Sequence, residues 1–302
     1  MPLPQNATSS SPDIGSAADR YAVIGHPIAH SKSPLIHAAF AKATGQHLEY
    51  GAIDGGAEPG GFQRAVEAFR AAGGRGMNVT VPFKLEAFAY AGQLSARAQA
   101  AGAVNALKFD GSQCHGENFD GVGLVRDIEH NLGLPLRGRR VLLLGAGGAS
   151  RGALFPLLET GPAQLYVANR TASKADALVQ EFVARGAAAA VLQGGGFEAL
   201  QAPGVGLGAG AFDVVINATS ASLGTELPPL PPAVFAPGSL AYEMMYGKGL
   251  TPFLQRAQQA GAAHLADGVG MLVEQAAESF LWWRGVRPET AAVIELIRAP
   301  LV

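Results

Sequence analysis

A single cysteine in 302 residues, Cys114, has no partner for an internal disulfide and no companion thiols for a metal cluster. That pattern predicts a reducing, cytoplasmic setting. Charge is scarce as well: 15% of residues are charged, and 22 basic against 24 acidic side chains give a net charge of −2. Without a basic excess there is no footprint for a phosphate backbone or an anionic bilayer, so nucleic acid and membrane are not expected as partners. No apolar run approaches the roughly 20 residues that span a bilayer. The first nineteen residues, rich in Ser, Pro and Ala, lack the basic start and apolar stretch of a signal peptide and are expected to form a flexible tail. His26, His30 and His37 lie close in sequence, but no cysteine or carboxylate completes a ligand set, so no metal is expected. What the chain does have is 48% hydrophobic residues and 40 glycines, enough for two cored domains or one large α/β domain.

The pattern along the chain alternates. A short apolar strand at 20–25 ends in glycine, a polar loop covers 26–33, and an apolar helix runs from Pro34 to about Thr44. A strand at 50–53, a helix at 61–72, a strand at 76–81 and a helix at 85–91 follow. Strand-helix alternation of this kind predicts a mostly parallel sheet. Strands are expected at 103–109 and 114–117, then a helix at 121–131, with the domain boundary near Gly121. The second half predicts strands at 141–144, 165–168, 214–217 and 240–243. Residues 186–211, rich in Ala and Gly, predict loop with at most one short strand. A helix at 270–284 carries Leu272, Ala276, Phe280 and Trp283 at helical spacing; it either closes the second domain or crosses back onto the first. Trp282 and Trp283 read as core or interface residues.

One motif identifies a ligand class. Gly145-Ala146-Gly147-Gly148-Ala149-Ser150-Arg151-Gly152 follows the apolar run 141–144 and opens a helical segment, the strand-turn-helix context of a dinucleotide phosphate cradle. Glycines there let the backbone approach a pyrophosphate, and Gly145, Gly147, Gly148 and Ala149 are the candidate contacts. The next strand ends in Asn169-Arg170-Thr171, where an NAD site would place an acidic residue against the ribose 2′-hydroxyl. Arg170, with Lys174 one turn on, suits a 2′-phosphate instead, which predicts NADP as cofactor.

Three polar clusters are candidates for the chemistry. In His30-Ser31-Lys32-Ser33-Pro34, Ser33 taken alone reads first as a helix N-cap; the functional alternative is that Ser31 and Ser33 hold a carboxylate at a helix N-terminus. In Asn78-Val79-Thr80-Val81-Pro82-Phe83-Lys84, Asn78 and Thr80 alternate with valines at the carboxyl end of a strand, where α/β sheets bind ligands. Lys84 follows them, either as a solvated lysine or as a group that moves a proton. In Gly116-Glu117-Asn118-Phe119-Asp120-Gly121, Asp120 precedes a helix and reads as its N-cap or as a partner for a cation.

Taken together, HSKSP at 30–34, NVTVPFK at 78–84, AGAVN at 101–105, GAGGASRG at 145–152, NRT at 169–171, NATS at 217–220 and DGVGMLVEQAAESFLWW at 267–283 resemble the shikimate dehydrogenase family. The likeness runs in order from about Tyr21 to Trp283. It implies a mixed or parallel α/β substrate domain at 20–120, completed by 268–302, and a Rossmann-like NADP-binding domain at 121–267. It implies NADP-dependent, reversible reduction of 3-dehydroshikimate to shikimate on the route to chorismate and the aromatic amino acids, by a monomer or homodimer. A quinate/shikimate dehydrogenase of relaxed preference, and a non-catalytic NADP or shikimate sensor, are the alternatives. By the resemblance, Lys84 and Asp120 form the catalytic pair. Ser31, Ser33, Thr80 and Tyr246 face the substrate carboxylate; Asn78, Asn105, Asp120 and Gln275 hold ring hydroxyls; Met244 and Gly268 meet the nicotinamide end. The chain departs from the family pattern at Ala106 and Phe119, each replacing a hydroxyl residue expected near the substrate, and at Lys174, where the family often has Arg.

Overall fold

Two runs of strand and helix build two separate six-stranded sheets in this computed structural model, which describes residues 18–201, 211–219, 227–231 and 233–299. Residues 1–17 of the expected tail, 202–210 of the expected loop, Ser220 of the 217–220 motif and 300–302 lie outside the described residues.

The first sheet contains β1 (Asp19–Gly25), β2 (Leu48–Asp54), β3 (Gly74–Val79), β4 (Gln93–Leu94), β5 (Ala106–Asp110) and β6 (Gln113–Glu117), ordered β2-β1-β3-β5-β6-β4. Helices α1 (Ser33–Thr44), α2 (Gly61–Ala71), α3 (Lys84–Tyr90) and α4 (Ala96–Ala101) connect them. The sheet is less parallel than alternation predicts. β1 pairs in parallel with β2 and β3, but β5 runs antiparallel to both β3 and β6. A two-residue turn, with Gly111 at φ 57°, closes the β5–β6 hairpin, and positive φ there is what glycine supplies without steric cost. β5 starts three residues later than predicted, because α4, itself not predicted, ends on Gly102 at φ 60°.

The second sheet contains β7 (Arg140–Leu144), β8 (Gln164–Asn169), β9 (Leu192–Gly196), β10 (Phe212–Asn217), β11 (Phe235–Glu243) and β12 (His264–Ala266), ordered β12-β11-β10-β7-β8-β9 with every pair parallel. The central strands read Val-Leu-Leu-Leu and Leu-Tyr-Val-Ala because both faces are covered, by α6 (Gly148–Glu159), α7 (Ala172–Ala184) and α8 (Pro252–Gln259) among others. Strand order reverses between β7 and β10, and the crevice beyond their carboxyl ends is where such sheets take ligands.

The two sheets are joined by α5 (Asp120–Arg126), which continues into one π-helical turn, Asp127–Asn131. They are joined again by α9 (Val269–Arg284), followed by α10 (Ala291–Arg298). Of the two predicted courses for α9, the structure takes the crossing one. Val273, Ala276 and Phe280 pack on Ile36 and Phe40 of α1, and Trp283 stacks on Tyr21 at 4.8 Å while its Nε1 donates to the Leu107 carbonyl at 3.1 Å. Close approach of α5 to α9 depends on small residues: a Cβ on Gly123 would lie 2.7 Å from the Met271 carbonyl oxygen. Among the described residues, no helix is long and apolar enough to cross a membrane.

Candidate active site

The loops after β1, β3 and β6 and the start of α9 surround a cleft of about 350 Å3, a size within the range of small-ligand sites. It gathers Ser31, Ser33, Asn78, Thr80, Lys84, Asn105 and Asp120 from the first sheet's side, and Met244, Tyr246, Gly268 and Gln275 from β11 and α9. These eleven positions, spread over 245 residues of sequence, were all predicted to face substrate or nicotinamide. His30, Lys32, Met271 and Leu272 also line the cleft and were not predicted. Ala106 and Phe119 are not among the lining residues. Both are buried behind it, and the Phe119 ring packs edge-on against Trp282 and under Arg97, so the two departures alter the support of the cleft rather than its surface.

Lys84 and Asp120 are the first residues of α3 and α5. Lys84 Nζ donates to Asp120 Oδ2 at 2.7 Å, and Asn105 Nδ2 donates to Asp120 Oδ1 at 2.8 Å. The N-cap reading of Asp120 fails: the cap position is Phe119, and the carboxylate sits one residue inside the helix, where the amide dipoles favour negative charge. The turn that presents it is held by Asn118, whose Oδ1 accepts from Asp120 N at 3.1 Å, and by Asn105 Oδ1, which accepts from Phe119 N at 2.8 Å. Asn105 thus fixes both the backbone and the side chain of the acid. Side-chain exposures of 31% for Lys84 and 22% for Asp120 keep the pair open to a ligand yet shielded from bulk water. Gln275 Oε1 accepts from Asn105 Nδ2 at 3.3 Å, tying α9 to the same cluster.

The Ser33 N-cap reading also fails. α1 begins at Ser33 and its cap is Lys32, whose side chain makes no capping bond; Ser31 Oγ accepts from the Ser33 amide at 3.3 Å instead, and Ser31, Lys32 and Ser33 all line the cleft. Ser33 is buried beside the Tyr50 phenol. Tyr50 in turn donates to Asn78 Oδ1 at 2.7 Å, and His37 Nε2 meets the same oxygen at 3.1 Å. Asn78 Nδ2 donates to Ser279 Oγ at 2.8 Å and, more weakly, to the Asn105 carbonyl at 3.4 Å. Burial lowers the His37 pKa to about 3, against the opposing pull of the Asn78 hydrogen bond, so the ring is neutral and Nε2 carries the proton it gives to Asn78. Both lone pairs of the Asn78 carboxamide oxygen are therefore taken by protein donors. Its amide hydrogens are engaged as well, and the weaker of the two bonds, at 3.4 Å to the Asn105 carbonyl, is the one a ligand can most readily replace. Residues 37, 50 and 279 were not predicted, and only their spatial convergence reveals them.

Across the cleft, the glycine-rich turn follows β7. Gly145 has φ 104°, Gly147 is the uncapped N-cap of α6, and a Cβ on Gly147 or Gly148 would meet nothing within 4 Å. Gly147, Gly148 and Ala149 are exposed, so a bare helix N-terminus faces open space. Behind it, the buried Ser150 Oγ has no hydrogen-bond partner. These features fit a pyrophosphate. At the tip of β8, Asn169 Nδ2 donates to the Thr171 carbonyl at 2.9 Å and shapes the turn that leaves Arg170, Thr171 and Lys174 exposed. Arg151, also not predicted, links α6 to Glu181 of α7 through its NH1 at 2.7 Å. Among the described residues, no group of three or more His, Cys, Asp or Glu side chains is placed to hold a metal.

Comparison with known proteins places these elements. Residues 23–107 match the family model of a shikimate dehydrogenase substrate binding domain, 127–224 that of shikimate/quinate 5-dehydrogenase, and 268–298 that of a shikimate 5′-dehydrogenase C-terminal domain. A Nitrosospira multiformis protein named shikimate dehydrogenase (NADP(+)) is 58% identical over 284 residues, covering 94% of this chain and 98% of the relative. The crystal structure of an Ael1 enzyme from Pseudomonas putida, 58% identical, superposes with a TM-score of 0.84 over 92% of this chain and 98% of that one. A Thermus thermophilus shikimate 5-dehydrogenase crystallised with NADP(H) and shikimate, 31% identical, gives 0.78 over 94% and 100%.

Proposed function

The chain belongs to the shikimate dehydrogenase family, and from that premise we propose how its own residues carry out the NADP-dependent interconversion of 3-dehydroshikimate and shikimate. The observation that carries the reading is the Lys84–Asp120 pair, 2.7 Å apart at the floor of the cleft and oriented by Asn105. We assign residues 20–120 with 268–302 to the substrate and 121–267 to the cofactor.

Bound NADPH supplies the hydride in the direction of reduction. Every other requirement falls on the protein. A carbonyl being reduced gathers negative charge on its oxygen, and the Lys84 ammonium is the donor that stabilises and protonates it. Asp120 holds Lys84 in place and receives a neighbouring hydroxyl. The substrate carboxylate lies at the start of α1 beside Ser31 and Ser33, with Thr80 and Tyr246 completing that end. Asn78, Asn105 and Gln275 are the neutral donors and acceptors for the ring hydroxyls. Gly145, Gly147, Gly148 and Ala149 take the pyrophosphate; Asn169, Arg170, Thr171 and Lys174 take the phosphorylated ribose; Met244 and Gly268 form the wall at the nicotinamide. A 2′-phosphate is matched there by the guanidinium of Arg170 and the ammonium of Lys174.

The test is NADP reduction with shikimate and then with quinate, in the wild type and in Lys84→Ala. Shikimate-dependent turnover that falls about a hundredfold or more in the variant supports the assignment. Equal activity in both proteins removes Lys84 from the chemistry. NADP binding without turnover on either substrate makes the protein a sensor, and faster turnover on quinate makes it a quinate enzyme.

A further inference from the structure

The helix that begins at Asp120 and the strand that ends before Met244 meet at one buried polar contact. Tyr242, on β11 and 0% exposed, donates its phenol to Asp127 Oδ2 at 2.7 Å; Asp127, 4% exposed, lies in the π-helical turn that continues α5. We propose that this Tyr242–Asp127 hydrogen bond is a positioning contact, which sets the proton-donating side of the cleft against the wall where the cofactor reacts. The inference rests on the roles assigned above to Lys84, Asp120 and Met244.

Three observations carry it. The contact ties the helical path that starts at Asp120 to the strand that leads to Met244: Asp127 is seven residues after Asp120, and Tyr242 is two residues before Met244. The third partner, α9, is locked into the same point. A Cβ on Gly270 would lie 1.9 Å from Asp127 Oδ1, so the carboxylate rests directly on the backbone of α9. Asn131 Nδ2 donates both to Asp127 Oδ1 at 2.9 Å and to Glu274 Oε1 at 3.1 Å, which extends the junction one further turn along α9. Finally, the choice of groups is costly. A carboxylate and a phenol stripped of water gain little stability over two apolar side chains of the same size, whereas their hydrogen bond admits one geometry. Geometry is what this chemistry needs, since a displacement of about 1 Å between reacting groups lowers a rate by roughly a hundredfold.

The experiment compares Tyr242→Phe, Asp127→Asn and Lys84→Ala in the full chain. Tyr242→Phe keeps the ring and removes the donor; Asp127→Asn retains a hydrogen bond to the phenol in either orientation of its amide. Expected for Tyr242→Phe are a kcat at least about tenfold lower and dissociation constants for shikimate and NADP, measured by calorimetry, within about twofold of wild type. The primary isotope effect from deuterium at the transferred position should rise. In the unliganded protein, amide exchange should quicken in 127–134 and 240–244 and not elsewhere. Asp127→Asn should lie closer to wild type in each measure. A Tyr242→Phe protein with wild-type kcat and isotope effect overturns the proposal, as does a kcat loss accounted for by a smaller folded fraction or by weaker NADP binding. Full turnover in Lys84→Ala would defeat the underlying site assignment instead, and the two failures are told apart because they occur in different variants.

Discussion

Lowering the pH from 7 to 5 should destabilise this protein through His37 in particular. The ring is wholly buried, stacked on Tyr50 at 4.1 Å, and burial depresses its pKa from 6.5 to about 3. In the unfolded chain the same ring titrates near 6.5. A base whose folded pKa is depressed contributes full stability above its unfolded pKa, and that contribution falls as the pH drops towards the folded value. Each pH unit below 6.5 therefore removes about 1.4 kcal/mol, and by pH 5 the loss is about 2 kcal/mol. The reporter is built in: the chain's two tryptophans are adjacent on α9, and Trp283 lies 5.5 Å from the His37 ring. Urea unfolding followed by tryptophan fluorescence at pH 7 and pH 5 would be compared in the wild type and in His37→Gln, which keeps a neutral donor for Asn78. All other titrating groups are common to both proteins and cancel in the difference. The wild type should lose about 2 kcal/mol more than the variant between the two pH values. Identical losses would refute the argument, because they would mean that His37 is solvated or charged in the folded state.

Replacing Arg170 by Asp should raise the KM for NADP by roughly tenfold to a hundredfold, as expected for loss of a charged hydrogen-bonding partner, and leave the KM for NAD nearly unchanged in initial-rate assays. Glu274→Gln should destabilise by about 2 kcal/mol in denaturant titrations; it strips the shared carboxylate from Arg126 and Arg287, although Glu278 still pairs with both. Burial of Glu274 acts to raise its pKa, but hydrogen bonds from Thr290, Asn131 and Arg126 outweigh it and hold the group below the ordinary 4.5. Its stabilisation is therefore present above pH 4.5 and lost as the pH falls through the folded value, so the variant should show a flatter acid limb. Gly268→Ala would place a Cβ 2.1 Å from the Met244 carbonyl oxygen, and should cost about 1–3 kcal/mol of stability and weaken NADP binding, measured by thermal unfolding and calorimetry.

The elements most legible in the sequence were those whose signals are local. The strands at 141–144 and 165–168 stand out as apolar runs because a parallel sheet covered on both faces leaves no polar alternation, and the structure extends each by a residue or two. α4 and α8 were missed, although Ser95 accepts from Ala98 N at 3.0 Å and Thr251 from Leu254 N at 3.3 Å as side-chain caps. Their helices, at six and eight residues, are too short to establish a 3.6-residue period, and the caps were the usable signal. The antiparallel β5–β6 hairpin was hidden for a different reason. Each strand alone resembles its parallel neighbours, and only the two-residue Gly111-Ser112 turn between them, a hairpin signal, distinguishes the topology.

The site divides along the same line. Motifs compact in sequence, such as Asn78 to Lys84, reach the cleft because a strand's carboxyl end and the loop after it deliver several side chains to one edge. The groups that hold those side chains come from far away. Ser279 meets Asn78 across 201 residues and Gln275 meets Asn105 across 170, and neither pairing leaves a periodic or spacing signature in a single chain. The same remoteness explains why Ala106 and Phe119 looked like losses at the substrate. Each flanks a predicted contact residue, but successive residues of a strand point to opposite faces, and a residue at a helix cap need not follow its neighbour into the cleft. Asn105 and Asp120 point in; Ala106 and Phe119 go to the core. Adjacency in sequence therefore identifies which segments form this cleft, while the direction of each side chain, and the network that fixes it, is decided by the α9 crossing that the second half of the chain contributes.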